Sequence, residues 1–389
     1  MMPNGWKKKN IGHLFDVQLG KMLNEKAKIG KQYPYLANFN VRWGGFDFSK
    51  VNEMSFSERE CEKYTLQPGD LLMCEGGEIG RCAVWRGYDK EIYYQKALHR
   101  VRPITEECAT DYLYIYMQFI AKRGRLTRLV GESSIAHLTR EKLLGLSINL
   151  PSLPEQKAIA DLLSTWDESI EKTERLIRAK EKRFKWLLRE LISEQRNSQK
   201  GTEWKKVKLG EVCKITKGKQ LNVAHMKEDG TYYALNGGIK PSGRTDDWNT
   251  EAGTITISEG GNSCGYVNYN IERFWSGGHC YSLLNLHPSV NSHYLFFYLK
   301  MSEPKLMKLR VGSGLPNIQK KDVDRFKTLL PTLPEQQQIV STLSTAQQEI
   351  DLLKQLAEKY KTQKRGLMQK MLTGEWRIKP EIVNQYVEA

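Results

Sequence analysis

The residues of this sequence best suited to chemistry are glycine-lysine pairs, from which phosphate-binding loops are built. Three pairs occur, at Gly20-Lys21, Gly30-Lys31 and Gly218-Lys219. A nucleotide-binding loop needs GxxxxGK followed by serine or threonine, because that hydroxyl binds magnesium. Methionine or glutamine follows each lysine, so no such loop is predicted. The chain also lacks adjacent prolines, which excludes the (N/D/S)PP(Y/F/W)-type loop of amino-methyltransferases. We therefore expect no catalytic residues.

Basic side chains near turns are a second set of candidates, and their chemistry suits a polyanion. Guanidinium groups match phosphates and guanine edges, and GSGLPNI (Gly312–Ile318) offers backbone amides, a hydroxyl and a side-chain amide. The alternatives are a solvated helix face for the charges and a structural turn for the loop. The candidate DNA-binding residues are Arg42, Trp43, Lys122, Arg123, Arg125, Arg128, Ser133, Ser134, Lys219, Arg244, Lys305, Lys308, Arg310, Ser313 and Asn317.

Two loops with paired glycines, Glu75-Gly76-Gly77 and Glu259-Gly260-Gly261, could also be taken for phosphate sites. Each follows an apolar run typical of a strand. Hairpin turns favour glycine because it adopts positive φ at low cost. A glycine pair directly after a strand-like run therefore favours a hairpin turn over a phosphate site.

Composition and charge limit the class of protein. The 389 residues exceed one ordinary domain, 40% are hydrophobic, and no apolar run approaches the roughly 18 residues of a membrane span. The first residues lack the apolar segment of a secretory signal. Seven scattered cysteines, without metal-ligand spacing to the histidines, favour a reducing, cytoplasmic location and no metal site. The net charge of +15 suits a nucleic-acid partner, although many basic proteins bind none.

The charge alternates along the chain. Basic residues outnumber acidic ones by 23 to 17 in 1–150 and by 18 to 12 in 201–330. Residues 151–200 and 331–389 are nearly balanced, with 11 against 9 and 8 against 7. A polyanion bound at two places would match this alternation.

The sequence is an internal repeat. LPSLPEQKAIADLLST begins at Leu150 and LPTLPEQQQIVSTLST begins at Leu330. The WKK opening at Trp6 recurs at Trp204, and the EGG loops and GESSIAHL/VGSGLPNI also correspond. Their offsets fall from 198 to 184 to 180 residues, which indicates equivalent units with loops of different length. The strand-rich part of each unit precedes a predicted helix, at 109–123 and 291–301.

Each LPxLPEQ motif opens a long amphipathic helix. Pro154 and Pro334 suit a first helical turn, and Glu155 and Glu335 suit the positive end of the helix dipole. A 3.5-residue apolar period then continues for more than four heptads and predicts a coiled coil. The predicted seam residues are Ile159, Leu163, Trp166, Ile170, Ile177, Phe184, Leu187, Ile339, Leu343, Ile350, Leu353, Tyr360 and Leu367.

These elements predict an α/β fold with two mixed α/β domains separated by a long antiparallel two-helix coiled coil, arranged as a pseudo-twofold internal repeat. The expected parts are domain 1 (1–150), helix 1 (151–200), domain 2 (201–330), and helix 2 with a tail (331–389). Some forty helical residues span roughly 60 Å. Because one turn of B-DNA advances about 34 Å, the coil could set the distance between two DNA contacts one to two turns apart.

This arrangement resembles the DNA-specificity subunits of type I restriction-modification enzymes. The resemblance covers the whole chain and rests on the two LPxLPEQ helices, the WKKVKLGEV-type openings and the LTGEWRI tail (Leu372–Ile378). GESSIAHL departs from the pattern, since it lacks the Gly-Ser-Gly and the Pro-Asn of VGSGLPNI.

The resemblance implies a non-catalytic subunit in which each target-recognition domain reads one half of a bipartite DNA site. It further implies a complex with two modification subunits and two restriction subunits. S-adenosylmethionine, ATP and magnesium would belong to those partners, and this chain would carry no cofactor. The alternative is a structural DNA-bridging protein without sequence preference. A self-contained modifying enzyme lacks its motifs.

Overall fold

The structure is a computed structural model that describes residues 3–22, 30–88, 91–131, 137–193, 204–312, 314 and 316–387. The chain divides into two compact units. The first unit comprises Met1–Thr173 and Leu356–Ala389, and the second comprises Glu174–Gln355. Two helices of 40 residues each, the first long helix (Leu153–Ile192) and the second long helix (Leu333–Leu372), contribute residues to both units.

Four sheets form the strand-rich part of the first unit. A four-stranded antiparallel sheet has the order β2-β10-β7-β8, and β1 pairs with β11. A three-stranded sheet has the order β6-β3-β9, with β9 parallel to β3. The fourth sheet is the pair of β4 and β5. The strands are β1 (Lys7–Asn10), β2 (Phe15–Leu19), β3 (Lys31–Leu36), β4 (Val41–Arg42), β5 (Gly45–Phe46), β6 (Asn52–Phe56), β7 (Leu71–Cys74), β8 (Cys82–Val84), β9 (Tyr93–Tyr94), β10 (Leu98–Pro103) and β11 (Ser147–Leu150).

Short helices complete the first unit. They are α1 (Glu58–Tyr64), α2 (Thr110–Lys122), α3 (Arg125–Val130) and α4 (Arg140–Leu144), with 3₁₀ turns at Ile11–His13 and Asn38–Asn40. Helix α1 packs on the β6-β3-β9 sheet, whereas α2 and α4 pack on the four-stranded sheet. The buried face of α2 packs on this sheet together with Ile159 and Leu163 of the first long helix and Met368 of the second. Each long helix therefore contributes a segment to the core of this unit.

The second unit repeats this plan with its own strands. Its four-stranded sheet has the order β13-β19-β16-β17, β12 pairs with β20, and a three-stranded sheet has the order β15-β14-β18. The strands are β12 (Lys205–Lys208), β13 (Lys214–Lys217), β14 (Tyr232–Leu235), β15 (Gly243–Thr245), β16 (Thr254–Ser258), β17 (Val267–Asn270), β18 (Phe274–Ser276), β19 (Cys280–Leu284) and β20 (Lys327–Leu330).

The helices of the second unit follow its strands as in the first. Its short helices are α5 (Leu209–Val212), α6 (Ser292–Met301), α7 (Glu303–Met307) and α8 (Lys320–Asp324), with 3₁₀ turns at Val223–His225 and Gly261–Ser263. Ile192, Ile339 and Leu343 of the long helices lie in its core. The predicted helices at 109–123 and 291–301 are thus confirmed as α2 and α6. A last helix, α9 (Pro380–Asn384), follows the second long helix and belongs to the first unit.

The glycine-lysine pairs of the repeat mark a close approach of two backbone segments. A Cβ atom added to Gly20 would lie 2.4 Å from the Gln95 carbonyl oxygen, and one added to Gly218 would lie 2.3 Å from the Gly277 carbonyl oxygen. No side chain fits at that distance, so glycine is required at both positions. These glycines therefore serve the fold, as the absence of a phosphate-loop sequence around them indicated.

Candidate nucleic-acid interface

Two loops meet in the second unit, and we call the place where they meet the loop junction. The Gly261 amide donates to the Pro316 carbonyl at 2.9 Å, and the Ile318 amide donates to the Glu259 carbonyl at 2.8 Å. Gly261 has φ +70°, and its loop joins the antiparallel strands β16 and β17. The EGG sequence is therefore a hairpin connection, as predicted. The junction brings two separately predicted segments into contact.

The first unit has a corresponding junction. The Leu138 amide donates to the Glu75 carbonyl at 2.8 Å, and Gly77 has φ +74° in the hairpin between β7 and β8. Three predicted contact residues of these loops, Ser133, Ser134 and Ser313, lie outside the described residues.

A buried side chain supports each junction from the adjacent strand. In the first unit, Nε2 of His99 lies 2.8 Å from the Leu138 carbonyl oxygen. In the second, the Tyr281 hydroxyl donates to the Ile318 carbonyl at 2.9 Å. His99 is fully buried, and its Nδ1 has no hydrogen-bond partner within the part of the chain that the structure describes. Burial lowers the pKa of His99, which favours the neutral ring.

A buried carboxylate strengthens the junction of the second unit. Glu259 is 5% exposed. Its Oε1 accepts from Lys217 Nζ at 2.6 Å and from the Tyr281 hydroxyl at 3.1 Å, and its Oε2 lies 3.4 Å from His279 Nδ1. Burial, together with the Glu259 charge, raises the pKa of the Tyr281 phenol, so this group stays protonated and donates. The carboxylate thereby ties the EGG loop to two strands.

Arg42 and Trp43 lie at the short β4-β5 hairpin of the first unit. Arg42 is exposed and forms an ion pair with Asp47 at 3.1 Å. Hydrogen bonds from the Ser49 hydroxyl and amide, together with Arg42, lower the pKa of Asp47 to about 2. The Trp43 indole donates to Glu78 at 2.5 Å and packs against the core. Arg42 is thus the accessible member of this pair.

The basic cluster of the first unit is exposed on α2, α3 and the turn between them. The guanidinium carbon of Arg123 lies 4.8 Å from the Phe119 ring centroid, and Arg125 donates to the Tyr116 hydroxyl at 3.3 Å. Arg128 donates to the Arg123 carbonyl at 3.5 Å. Lys122 lies beside a pocket that also contains residues of the second long helix. The structure therefore places all four predicted cations together on one surface region.

The candidate cations of the second unit are more dispersed. Arg244 on β15 donates to the carbonyls of Gly230 and Thr231, so its side chain stabilises a loop. Lys219 is exposed, whereas its counterpart in the repeat, Lys21, is buried and donates to Glu60 at 2.7 Å. The remaining candidates are Lys305 on α7, Lys308 and Arg310 just after it, and Asn317 in the loop junction, whose Oδ1 accepts from Gln319.

The predicted seam residues lie on the packed faces of the long helices. Ile159, Leu163, Ile177, Ile339, Leu343 and Ile350 are buried, and Trp166, Ile170, Phe184, Leu187, Leu353, Tyr360 and Leu367 are half-buried. In the first unit, the ring centroids of Trp166 and Tyr360 lie 5.6 Å apart.

Ion pairs also join the two long helices within each unit. Asp167 pairs with Lys364 at 2.5 Å in the first unit. In the second unit, Lys180 pairs with Glu349 at 2.6 Å, and Glu181 pairs with Lys354 at 2.7 Å. The helices therefore contact each other inside both units.

The glutamines of the LPxLPEQ motifs have a role that sequence reasoning missed. Gln156 is fully buried, accepts from the Ala109 amide at 3.0 Å, and donates to the carbonyls of Glu107 and Pro151. Gln336 makes the same three bonds with Asn291, Ser289 and Pro331. Each glutamine fixes the start of a long helix to the loop before α2 or α6. The identical position of both glutamines in the repeat was the available signal.

Three further features of the described residues concern metal binding, cysteines and membrane spans. Within those ranges, no group of three histidine, cysteine, aspartate or glutamate side chains lies close enough to hold a metal ion. All seven cysteines are free thiols. Of the helices in the described part of the chain, none is both long and apolar enough to span a membrane.

Comparisons with known proteins agree with this architecture. The family model for the type I restriction modification DNA specificity domain matches residues 3–181 and 201–361. A putative type I specificity subunit of Mycoplasma pneumoniae is 34% identical over 159 residues, which cover 40% of this chain and 42% of that protein. The putative MjaX specificity subunit of Methanocaldococcus jannaschii is 25% identical over 97% of this chain and 95% of its own.

A solved structure shares the fold. The crystal structure of a type I restriction-modification S subunit from M. genitalium superposes with a TM-score of 0.65 at 21% identity, covering 95% of this chain and 97% of that chain. The two matched segments of the family model together account for most of the sequence, one in each half of the repeat. This chain therefore belongs to the family of type I restriction-modification DNA specificity subunits.

Proposed function

We propose that this chain reads a bipartite DNA site, with one half-site bound by each globular domain, and that it performs no catalysis itself. The observation that carries this proposal is the duplicated loop junction. Each unit supports it with a buried side chain on the equivalent strand of its four-stranded sheet, His99 on β10 or Tyr281 on β19. A rigid support beneath variable loops suits sequence-specific recognition, because the loops can differ while their position is kept.

The exposed cations of each unit supply the affinity for phosphate in this proposal. In the first domain we assign this role to Arg42 and to the cluster Lys122, Arg123, Arg125 and Arg128. In the second we assign it to Lys219, Lys305, Lys308 and Arg310, with Asn317 as a polar contact. Phosphate contacts position the protein, whereas base-edge contacts from the loops specify sequence. Arg244 is the weakest candidate, since its guanidinium already donates to two carbonyls.

The long helices set the spacer of the site and form the docking surface for the other subunits. Their mutual ion pairs and buried seam residues support antiparallel pairing as a coiled coil. We propose that two modification subunits dock on this pair and that two restriction subunits complete the assembly. S-adenosylmethionine, ATP and magnesium bind to those partners in this proposal, so calorimetry with the isolated chain should detect no S-adenosylmethionine binding.

Methylome sequencing tests the proposal. A strain that expresses this chain with its modification subunit should acquire methylated adenines in two short motifs separated by a fixed, unspecified spacer. Omission of the chain should abolish that pattern. Methylation of a single uninterrupted motif would contradict the proposal that each domain binds one half-site. Unchanged methylation without the chain would contradict a role in specificity.

A further inference from the structure

A cationic pocket lies in the first unit, beside the contact between α2 and the second long helix. Its lining includes Lys122 of α2 and Lys361, Lys364 and Arg365 of the second long helix. The residues that line it enclose a volume of about 510 Å³. Among the described residues that line the pocket, Asp167 is the one carboxylate. Four cations and one carboxylate therefore line the same pocket, and two of the cations, Lys122 and Arg365, remain exposed to solvent.

The internal partners of these cations are unevenly distributed. Lys364 is only 4% exposed, and its Nζ donates to Asp167 at 2.5 Å and lies 3.4 Å from Gln118 Oε1. Lys361 pairs with Glu358 at 2.9 Å. Lys122 and Arg365 form no ion pair with a carboxylate among the described residues. Two cations of the pocket thus keep their charge available for a bound anion.

The charges around Lys122 also favour the binding of an anion. Partial desolvation of Lys122 beside the second long helix, and then the charges of Lys364 and Arg365, lower the pKa of its ammonium group, although the side chain stays accessible to solvent. A bound anion would reverse that effect, because an opposite charge favours the protonated amine. The direction of the shift is that expected for a cation that shares its site with other cations.

The repeat shows that this chemistry is not required by the fold. With the repeat offset of 180 residues, Lys364 corresponds to Phe184, whose ring centroid lies 6.3 Å from that of Phe297. Asp167 corresponds to Gln347, and Lys361 to Glu181, which pairs with Lys354. The second unit fills the equivalent position with aromatic packing. The fold therefore does not require a lysine at this place.

We propose that this pocket binds a phosphate of the DNA backbone, with Lys122 and Arg365 as the direct ligands and Lys364 as the positioning residue beneath them. The proposal rests on the proposed function, since it assigns the pocket to the same DNA. A backbone phosphate is favoured over an acidic protein segment because Lys122 continues directly into the exposed cluster of Arg123, Arg125 and Arg128. A duplex contacting that cluster would present further phosphates at regular spacing.

The double variant Lys122→Gln/Arg365→Gln tests the proposal in the full chain assembled with its modification subunit. Binding of a labelled duplex of mixed sequence is measured by fluorescence anisotropy at several salt concentrations. Loss of one phosphate contact should weaken binding about tenfold at low salt and reduce the slope of log K against log salt by about 0.9. The matched control, Lys182→Gln/Lys185→Gln, removes two exposed charges from the first long helix and includes the counterpart of Arg365.

The outcomes separate the pocket from the wider function. An equal effect of both double variants would overturn the pocket, since it would show general charge loss alone. Unchanged DNA binding with reduced retention of the modification subunit would also overturn it, because the pocket would then bind an acidic protein segment. If the unaltered complex binds no DNA, the proposed function itself fails. Since both substituted side chains are at the surface, an unchanged thermal unfolding midpoint is expected and confirms that the variant is folded.

Discussion

The two units share one framework but differ in what occupies equivalent positions. Tyr112 of the first unit and Tyr294 of the second are both fully buried, and their hydroxyls donate to the Asn149 and Leu329 carbonyls at 2.7 and 2.8 Å. Where the long helices meet the domains, however, the first unit has the ion pair of Lys364, whereas the second has the aromatic ring of Phe184.

This difference shows which contacts the fold requires and which it leaves free. Backbone crossings, the glutamine anchors and the tyrosine hydrogen bonds recur in both units and define the framework. Side chains at the loop junction and at the helix contact vary. Polar residues in a helix seam cost stability but specify register and partner. The following variants test this distinction between framework and variable positions.

The largest expected effect concerns the framework. Gly20→Ala and Gly218→Ala should each destabilise their own unit by about 3 kcal/mol or more, because the new methyl group would meet backbone atoms that cannot move away. Hydrogen exchange followed by mass spectrometry would locate the loss of protection in the unit that carries the substitution. Gly366→Ala is the control, since no atom outside its chain neighbours and its own helix backbone lies within 4 Å of the added methyl group, and alanine favours a helix. Full protection in Gly20→Ala would show that the crossing is not needed.

A smaller effect should distinguish the units at the helix contact. Asp167→Ala leaves the buried Lys364 ammonium without its carboxylate and should cost about 2 kcal/mol, less than a fully buried pair because Asp167 itself is 41% exposed. Gln347→Ala, at the corresponding place, should change the free energy of unfolding by less than about 0.5 kcal/mol. Urea unfolding monitored in each unit by hydrogen exchange measures both.

The lysine of that pair provides the complementary test. Lys364→Met removes both the buried charge and its need for a partner, so stability should stay near that of the unaltered chain or rise. If Lys364→Met lowers the free energy of unfolding as much as Asp167→Ala does, the ion pair stabilises the first unit. That result would contradict the claim that the fold leaves this position free.

The smallest effect concerns pH at the loop junction. Because burial lowers the pKa of His99 in the folded state, the unfolded chain binds more protons once the pH falls below about 6.5, the ordinary histidine value. Stability of the first unit should therefore be complete above that pH and decrease as the pH falls, by at most about 1.4 kcal/mol per pH unit for one site, until the folded-state pKa is reached.

The second unit, which has Tyr281 in place of His99, serves as the comparison for this pH dependence. His99→Gln should remove the pH dependence assigned to this site while retaining a donor for the Leu138 carbonyl. Tyr281→Phe should lower the stability of the second unit equally at pH 5 and pH 7, since the phenol does not titrate there. Thermal unfolding at both pH values checks these expectations. The same decrease with pH in His99→Gln as in the unaltered chain would assign it to another group.

The sequence predicted the framework well because that framework is repeated. Two copies of LPxLPEQ, with Pro154 and Pro334 near the helix starts, located the long helices, which the structure has at Leu153–Ile192 and Leu333–Leu372. The 3.5-residue period identified their packed faces. These signals are local, so a single sequence contains them.

The non-local features could not be predicted. Lys122 and Lys364 are 242 residues apart in the sequence, and nothing near either indicates that they share a pocket. The support of the loop junctions by His99 and Tyr281 could not be predicted either. A histidine and a tyrosine use different atoms to bond the corresponding loop carbonyl, so the two sequences do not look alike at this position. Arg244 was predicted as a DNA contact from its charge, and only the structure shows its bonds to loop carbonyls.

The spacing role of the long helices is the central claim, and a paired deletion tests it most directly. Removal of one heptad from each helix, Ile170–Leu176 and Ile350–Leu356, keeps the seam in phase and shortens each helix by about 10 Å. Methylome sequencing of a strain carrying this variant with its modification subunit should reveal the same two half-sites with a spacer about three base pairs shorter, at about 3.4 Å per pair. An unchanged spacer in a folded, active complex would contradict the account.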